Sequence, residues 1–182
     1  MRLYAFSSLV VFLLLLIGCV STTGDIRGDR FYVAQDFSVG VLNDEWEVTR
    51  QKVNHMIAAN APIPRENTQW PISFSHKNSN GFIAARSYEL NELGQARSLE
   101  VWADSIVAGS GGIKLSQRTI KVDGNDALEL VTSGQYMMKQ VILKKRKKFY
   151  KIVYSNSPAY FDQQLAVFDG FVGTFRFESV GP

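Results

Sequence analysis

The stretch "KFYKIVYSNSPAYFDQQLAVFDGFVGTFRF", residues 148–177, changes period twice, and those changes decide the fold class. "FYKIVYS" is rich in aromatic and β-branched residues and reads as a strand. "SPAYFDQQLAVFDGFVGTF" then reads as a helix, with Ser157 as cap and Pro158 at the first helical position. Phe161, Leu165, Phe168 and Val172 recur at helical spacing, and aromatic residues so spaced are core before they are a ligand box. "FRFE" returns to strand and closes the segment. Strand, helix and strand in close succession point away from an all-β sandwich.

Working backwards, "YMMKQVIL" and "FYKIVYS" form a hairpin across "KKRKK", and "IKLSQRTIKV" and "ALELVTS" form another across "DGND". "PISFSH" and "FIAARSYEL" flank a third turn at Asn80-Gly81. "SLEVWADSIVAG" is a helix with Ser98 as cap, Glu100 in its first turn and Gly109 as terminator. Leu99, Trp102, Ala103, Ile106 and Val107 make its apolar stripe. Further upstream, "FSVGVL" places Phe37, Val39 and Val41 on one strand face, and "EWEV" continues with Trp46 and Val48. The expected class is α/β (α+β): an antiparallel β-sheet flanked by helices.

The order of these segments, with "GNDALEL" and the ending "F-x-G-F-V-G-T-F-R-F", resembles the Mog1/PsbP-like α/β/α sandwich. That family includes many small exported bacterial lipoproteins, a photosystem assembly subunit and a nuclear transport factor. Its shared motifs are structural, with no catalytic signature to carry over. The resemblance implies a non-enzymatic binding or assembly module, with no cofactor.

The N-terminus carries an address. Arg2 precedes an apolar run from Leu9 to Ile17, too short for a spanning helix of about 20 residues but matching a secretory h-region of about 7–15. The run closes on Leu16-Ile17-Gly18-Cys19, which resembles the lipobox of bacterial lipoproteins. What this implies is a diacylglycerol on the Cys19 sulfur, cleavage after Gly18 and Cys19 as the new N-terminus. Residues 1–18 are then a lipoprotein signal peptide, 19–30 the lipidated cysteine with a flexible tether, and 31–182 one globular domain. The tether spans at most about 35 Å. Two acyl chains anchor stably where one is marginal. Val20, rather than aspartate, after the cysteine favours the outer membrane, facing the periplasm, in a host with two membranes. Cys19 is the chain's one cysteine, so the mature body has no disulfide, thiol nucleophile or thiolate metal site.

The remaining candidates for chemistry are sparse. His55 and His76 are far apart, and His76 shares strand parity with Ile72 and Phe74, which reads as a strand-end or edge histidine. Ser110 in "GSGG" lacks both the nucleophile elbow and the phosphate-loop pattern. Asp123 and Asp126 flank a turn and read as turn chemistry. No metal site and no catalytic residue is expected.

Charge is the one concentrated feature. The chain has 20 basic and 17 acidic residues; loss of Arg2 with the leader leaves +2, and setting aside Lys144, Lys145, Arg146, Lys147 and Lys148 leaves −3. With Lys139 and Lys151 on the flanking strands, this hairpin tip is a candidate contact for anionic headgroups, an anionic envelope polymer or an acidic envelope protein, weighed against the favoured reading of a solvated turn. Each cation near such a surface contributes about 1 kcal/mol. The solvated turn would also blunt strand edges against aggregation. No nucleic acid partner is expected of an exported protein. Two further classes stay open beside the binding module: an envelope hydrolase, in which Ser110, His55 or His76 would meet a carboxylate, and a small-ligand carrier with a deep apolar cavity.

Overall fold

The computed structural model describes residues 25–33, 36–50 and 70–178. Cys19, the lipobox, His55 and the proline-rich "NAPIPREN" lie outside these residues. Eleven strands, β1 (Asp25–Arg27), β2 (Arg30–Val33), β3 (Phe37–Gly40), β4 (Trp46–Arg50), β5 (Ile72–His76), β6 (Phe82–Glu89), β7 (Ile113–Val122), β8 (Asn125–Ser133), β9 (Met137–Lys145), β10 (Lys148–Asn156) and β11 (Arg176–Phe177), form two sheets among the described residues. The large sheet has the order β4-β5-β6-β10-β9-β8-β7, and the small sheet the order β1-β2-β3-β11; every pairing is antiparallel. The helices are α1 (Glu92–Ala96), α2 (Leu99–Ser110) and α3 (Leu165–Thr174), the last entered through a 3₁₀ turn at Asp162–Gln164.

All three expected hairpins are present. Asp123 and Gly124 both take positive φ, 46° and 76°, the pattern of the two-residue turn that matches strand twist. The "KKRKK" turn is narrower than its sequence: only Arg146 and Lys147 leave the strands, and Arg146 alone takes positive φ, 55°. Ser98 caps α2 through a 3.3 Å bond from the Val101 N–H, as expected.

Four details differ from the sequence reading. "FSVGVL" and "EWEV" are not one strand: β3 belongs to the small sheet and β4 to the large one. The chain switches sheets in a turn where Asn43 accepts the Glu45 and Trp46 amides, at its side chain and its carbonyl respectively. Helix α2 runs past Gly109 and stops at Gly111, whose φ of 64° supplies the left-handed residue that ends a helix. The final helix does not start at Ser157. Tyr154 donates its hydroxyl to the Phe161 carbonyl at 2.9 Å, and Asn156 accepts the Ser157 amide at 2.8 Å, so these groups serve a turn and α3 begins at Leu165. Residues 25–30, placed in the tether by sequence, include β1 and the turn into β2.

The two faces of the large sheet are covered differently. On one face the small sheet and α3 enclose Phe31, Phe37, Val39, Phe74, Ile83, Val141, Phe168, Phe171 and Phe175, all 0–2% exposed. On the other, α2 sets Trp102 and Ala103 against Leu128, Leu130, Ile142 and Phe149. The expected stripe of α2 is the buried stripe, with Leu99, Ile106 and Val107 at its margin. Together these layers give the antiparallel, helix-flanked α+β arrangement expected from the sequence pattern.

Candidate functional site

The basic hairpin divides once its side chains are placed. Lys144 leaves β9 toward the end of α1, donating to the Gln95 carbonyl at 3.0 Å and to the Arg97 carbonyl. Carbonyls at a helix C-terminus are left without intrahelical donors, and a cation there also meets the negative end of the dipole. Lys148 pairs with Asp36 at 3.1 Å and with Glu89 at 3.5 Å. Lys145 sits 3.7 Å above the Phe177 ring, a cation–π contact on the last strand of the small sheet. Of the five, Arg146 and Lys147 are the two classed as exposed. Lys139 and Lys151, read from sequence as extending the basic tip, are buried instead, at 6% and 9% exposure. The free charge at this tip is therefore the Arg146–Lys147 pair, and the remainder of the pentad fastens the hairpin to the fold.

Lys148 leads to a cluster that the sequence did not disclose. Asp36, 7% exposed, accepts from the Tyr150 hydroxyl at 2.8 Å and from the Ser87 hydroxyl, besides pairing with Lys148. Burial, then the neighbouring Asp36 charge and the hydrogen bond to it, push the Tyr150 phenol well above the usual tyrosine range. A second cluster joins β7, β8, β9 and α3. Glu129 receives Arg118 at 2.6 and 3.1 Å and Lys139 at 3.2 Å, and Lys139 also reaches Asp169 at 2.6 Å. Burial pushes the Glu129 carboxyl up, but the hydrogen bonds and charges of Arg118 and Lys139 outweigh it and hold the group below the usual carboxylate range. Both clusters join residues distant in sequence, so no local spacing could have announced them.

The other candidates disperse. His76 ends β5, one strand in from the edge, with its ring 5.0 Å from Trp46 and its Nδ1 3.0 Å from the Ser79 hydroxyl. Ser110 lies beside the start of β7 at the opposite edge, donating to the Val107 carbonyl at 2.9 Å and accepting from the Gly112 amide. Five strand spacings separate β5 from β7, about 24 Å at roughly 4.8 Å each, so Ser110 and His76 cannot share a reaction centre. Asp123 accepts the Phe177 amide at 3.0 Å, and Asp126 pairs with Lys121 at 2.7 Å, both on the rim. Among the described residues, no three His, Cys, Asp or Glu side chains converge to hold a metal ion. None of the described helices is long and apolar enough to cross a membrane.

An apolar groove of about 310 Å³ lies between α3 and the β3–β4 connection, lined by Gly40, Val41, Leu42, Val167, Gly170 and Thr174 among others. Its floor is tight. A Cβ at Gly40 would stand 2.9 Å from Thr174 Cγ2, while Thr174 Oγ1 accepts the Gly40 amide at 2.7 Å.

This arrangement of sheets and helices is a PsbP-like fold. The solution structure of cyanobacterial PsbP (CyanoP) from Synechocystis sp. PCC 6803 superposes with a TM-score of 0.53 at 10% identity, over 89% of this chain and 95% of that one. A protein of unknown function from Pseudomonas aeruginosa, PA94, described as a putative regulator, gives 0.43 at 13% identity over 75% and 88% of the two chains. A Bacteroides thetaiotaomicron structure gives 0.48 at 11% identity over 86% of this chain and 51% of that chain. No protein-family model matches the sequence. No curated protein matches it either.

Proposed function

We propose that this chain is a lipid-anchored envelope protein whose PsbP-like domain is a non-catalytic binding or assembly module. The observation that carries this reading is the bounded apolar run ending in Leu16-Ile17-Gly18-Cys19, with the chain's one cysteine at the acylation position. Acyl chains on Cys19 hold the protein at the membrane, on the periplasmic side of the outer membrane in a two-membrane host. The domain then works at short range from that surface. Its exposed Arg146–Lys147 tip supports contact with an anionic polymer, headgroup or acidic envelope protein, and the wide separation of Ser110 from His76 removes that one pairing from the hydrolase alternative.

The test is the intact mass of protein extracted from bacterial membranes, wild type beside Cys19→Ala. A chain starting at Cys19 and carrying acyl groups, absent from the variant, is the expected result. A chain that is unlipidated and cut elsewhere overturns the reading.

A further inference from the structure

Strand β7 is an outer strand of the large sheet, paired there with β8. It is open to solvent along nearly its whole length: residues 113–119 and Lys121 are exposed, Ile120 is half-buried and Val122 is buried. Two aliphatic side chains, Ile113 and Leu115, stand at its start 69% and 54% exposed. The direction of its ladder groups follows from the hairpin. Val122 and Asn125 close the two-residue Asp123-Gly124 turn as a hydrogen-bonded pair. Bonded and non-bonded pairs alternate along an antiparallel ladder. Ile120, Arg118 and Ser116 therefore bond inward to β8, and Lys121, Thr119 and Gln117 turn their N–H and C=O groups outward. The β-bulge between Lys114 and Ser116 ends this regular stretch, which covers residues 116–122.

An open edge is a template for another strand, and natural sheets guard it with bulges and charge. Here the bulge leaves residues 116–122 regular, and each cation of the strand is matched within its own chain. Lys114 pairs with Asp104 at 2.9 Å, Arg118 with Glu129 at 2.6 Å and Lys121 with Asp126 at 2.7 Å. An edge so neutralised gives an acidic peptide little to attract it and a second copy of itself little to repel it. We infer that β7 pairs antiparallel with β7 of a second copy of this chain, about a two-fold axis at Thr119. In that register the whole regular stretch overlaps: Ser116 faces Val122, Gln117 faces Lys121, Arg118 faces Ile120, and Thr119 faces its own counterpart. The outward groups of Gln117, Thr119 and Lys121 bond one another across the axis. No like charges stand directly opposite, and threonine beside threonine is a favourable cross-strand pair. An axis at Arg118 would set two guanidiniums face to face, one at Gln117 would draw the bulge into the ladder, and one at Ile120 would shorten the overlap. Beyond the bulge, Ile113 and Leu115 come alongside the partner's Asp123-Gly124 turn, which takes part of their apolar surface out of water. The interface is isologous and closes on itself. It is independent of the lipid anchor and of the Arg146–Lys147 tip.

Such a ladder is about 24 Å long, a contact at the small, transient end of interface sizes. Half-dimerisation is therefore expected at about 10–100 μM. Sedimentation velocity of the full-length protein in detergent, with the bound detergent mass subtracted, reads the equilibrium. Amide exchange reads the ladder: the Gln117, Thr119 and Lys121 amides gain protection as protein concentration rises. Thr119→Lys and Thr119→Glu each set like charges on the axis at an exposed position. Each weakens dimerisation about tenfold or more, with an unchanged thermal midpoint in dilute solution. Mixed in equal amounts, the two variants pair with each other and recover the dimer. A wild type still monomeric at ten times the expected concentration overturns the inference. A dimer that both variants leave intact overturns it too, because copies sharing a micelle through their anchors would behave in that way. Failure of the mixture to dimerise, with each variant folded and monomeric, overturns the register and the pairing with it.

Discussion

Tyr150 donates its hydroxyl to Oδ1 of Asp36 across 2.8 Å, and with that bond the last long strand of the large sheet grips the link between β2 and β3 of the small one. Tyr150→Phe removes one donor from a carboxylate that keeps Ser87 and Lys148, and lowers stability by about 1–2 kcal/mol in urea unfolding. The pH dependence has a definite sign. The phenol is held protonated in the fold, whereas an unfolded tyrosine ionises near pH 10. The stability it contributes is fully present below about pH 10 and is lost as pH rises beyond that. Stability of the Phe variant falls less steeply over that alkaline range; a residual fall comes from Tyr154, which burial also raises.

The Glu129 network fails at the opposite end of the pH scale. Its folded carboxyl is held low, so its contribution is present above about pH 4 and lost as pH falls below that. Glu129→Gln leaves Lys139, with its side chain 7% exposed, facing Asp169 alone. The expected cost is about 3 kcal/mol at neutral pH, with a shallower acid limb in the denaturation profile. A variant as stable as wild type at pH 7 would show that Asp169 suffices.

Gly40 and Thr174 form a coupled pair. Gly40→Ala drives a methyl against Thr174 Cγ2 and lowers stability by about 1–3 kcal/mol. Thr174→Ser deletes that methyl while keeping the hydroxyl that bonds the Gly40 amide and the Phe171 carbonyl. The double variant is therefore more stable than the sum of the single effects, by at least about 0.5 kcal/mol in a double-mutant cycle. Additive effects would locate the strain elsewhere.

Within the basic hairpin, stability and surface charge separate by residue. Lys144→Met strips the α1 carbonyls of their donor and costs about 1–2 kcal/mol. Arg146→Gly relieves a positive φ and gains up to about 1 kcal/mol while deleting an exposed cation. If the tip contacts anionic surfaces, Arg146→Glu with Lys147→Glu weakens sedimentation with anionic vesicles at unchanged thermal stability. Equal sedimentation would assign the tip to solubility alone.

Where the sequence was legible, the cause was local. Asp123-Gly124 announced a turn because both residues take the positive φ that a two-residue hairpin turn demands, and Ser98 announced α2 because a cap is a one-residue event. Phe161, Phe168 and Trp102 were recognisable as core from spacing alone. The small sheet was not legible: β3 pairs with β11 through Phe37 and Phe177, near opposite ends of the described chain, and a two-residue strand has no period of its own. The basic pentad was legible as charge but not as partnership, because Gln95, Arg97, Asp36 and Phe177 meet it only in the folded chain.

The pairing of β3 with β11 also imposes an order of events on synthesis. Residues 37–40 emerge from the ribosome early, yet their strand gains its outer partner only when residues 176–177 follow. Until then Phe37 and Val39 lack the neighbour that completes their sheet, and the contact that closes them, Phe37 stacked on Phe175 at 5.2 Å, is also supplied by the tail. Domains of this kind mature only after the whole chain has been delivered. Stalling or truncation short of residue 175 therefore leaves a sticky aromatic surface for chaperones and proteases to find, a built-in check on incomplete chains.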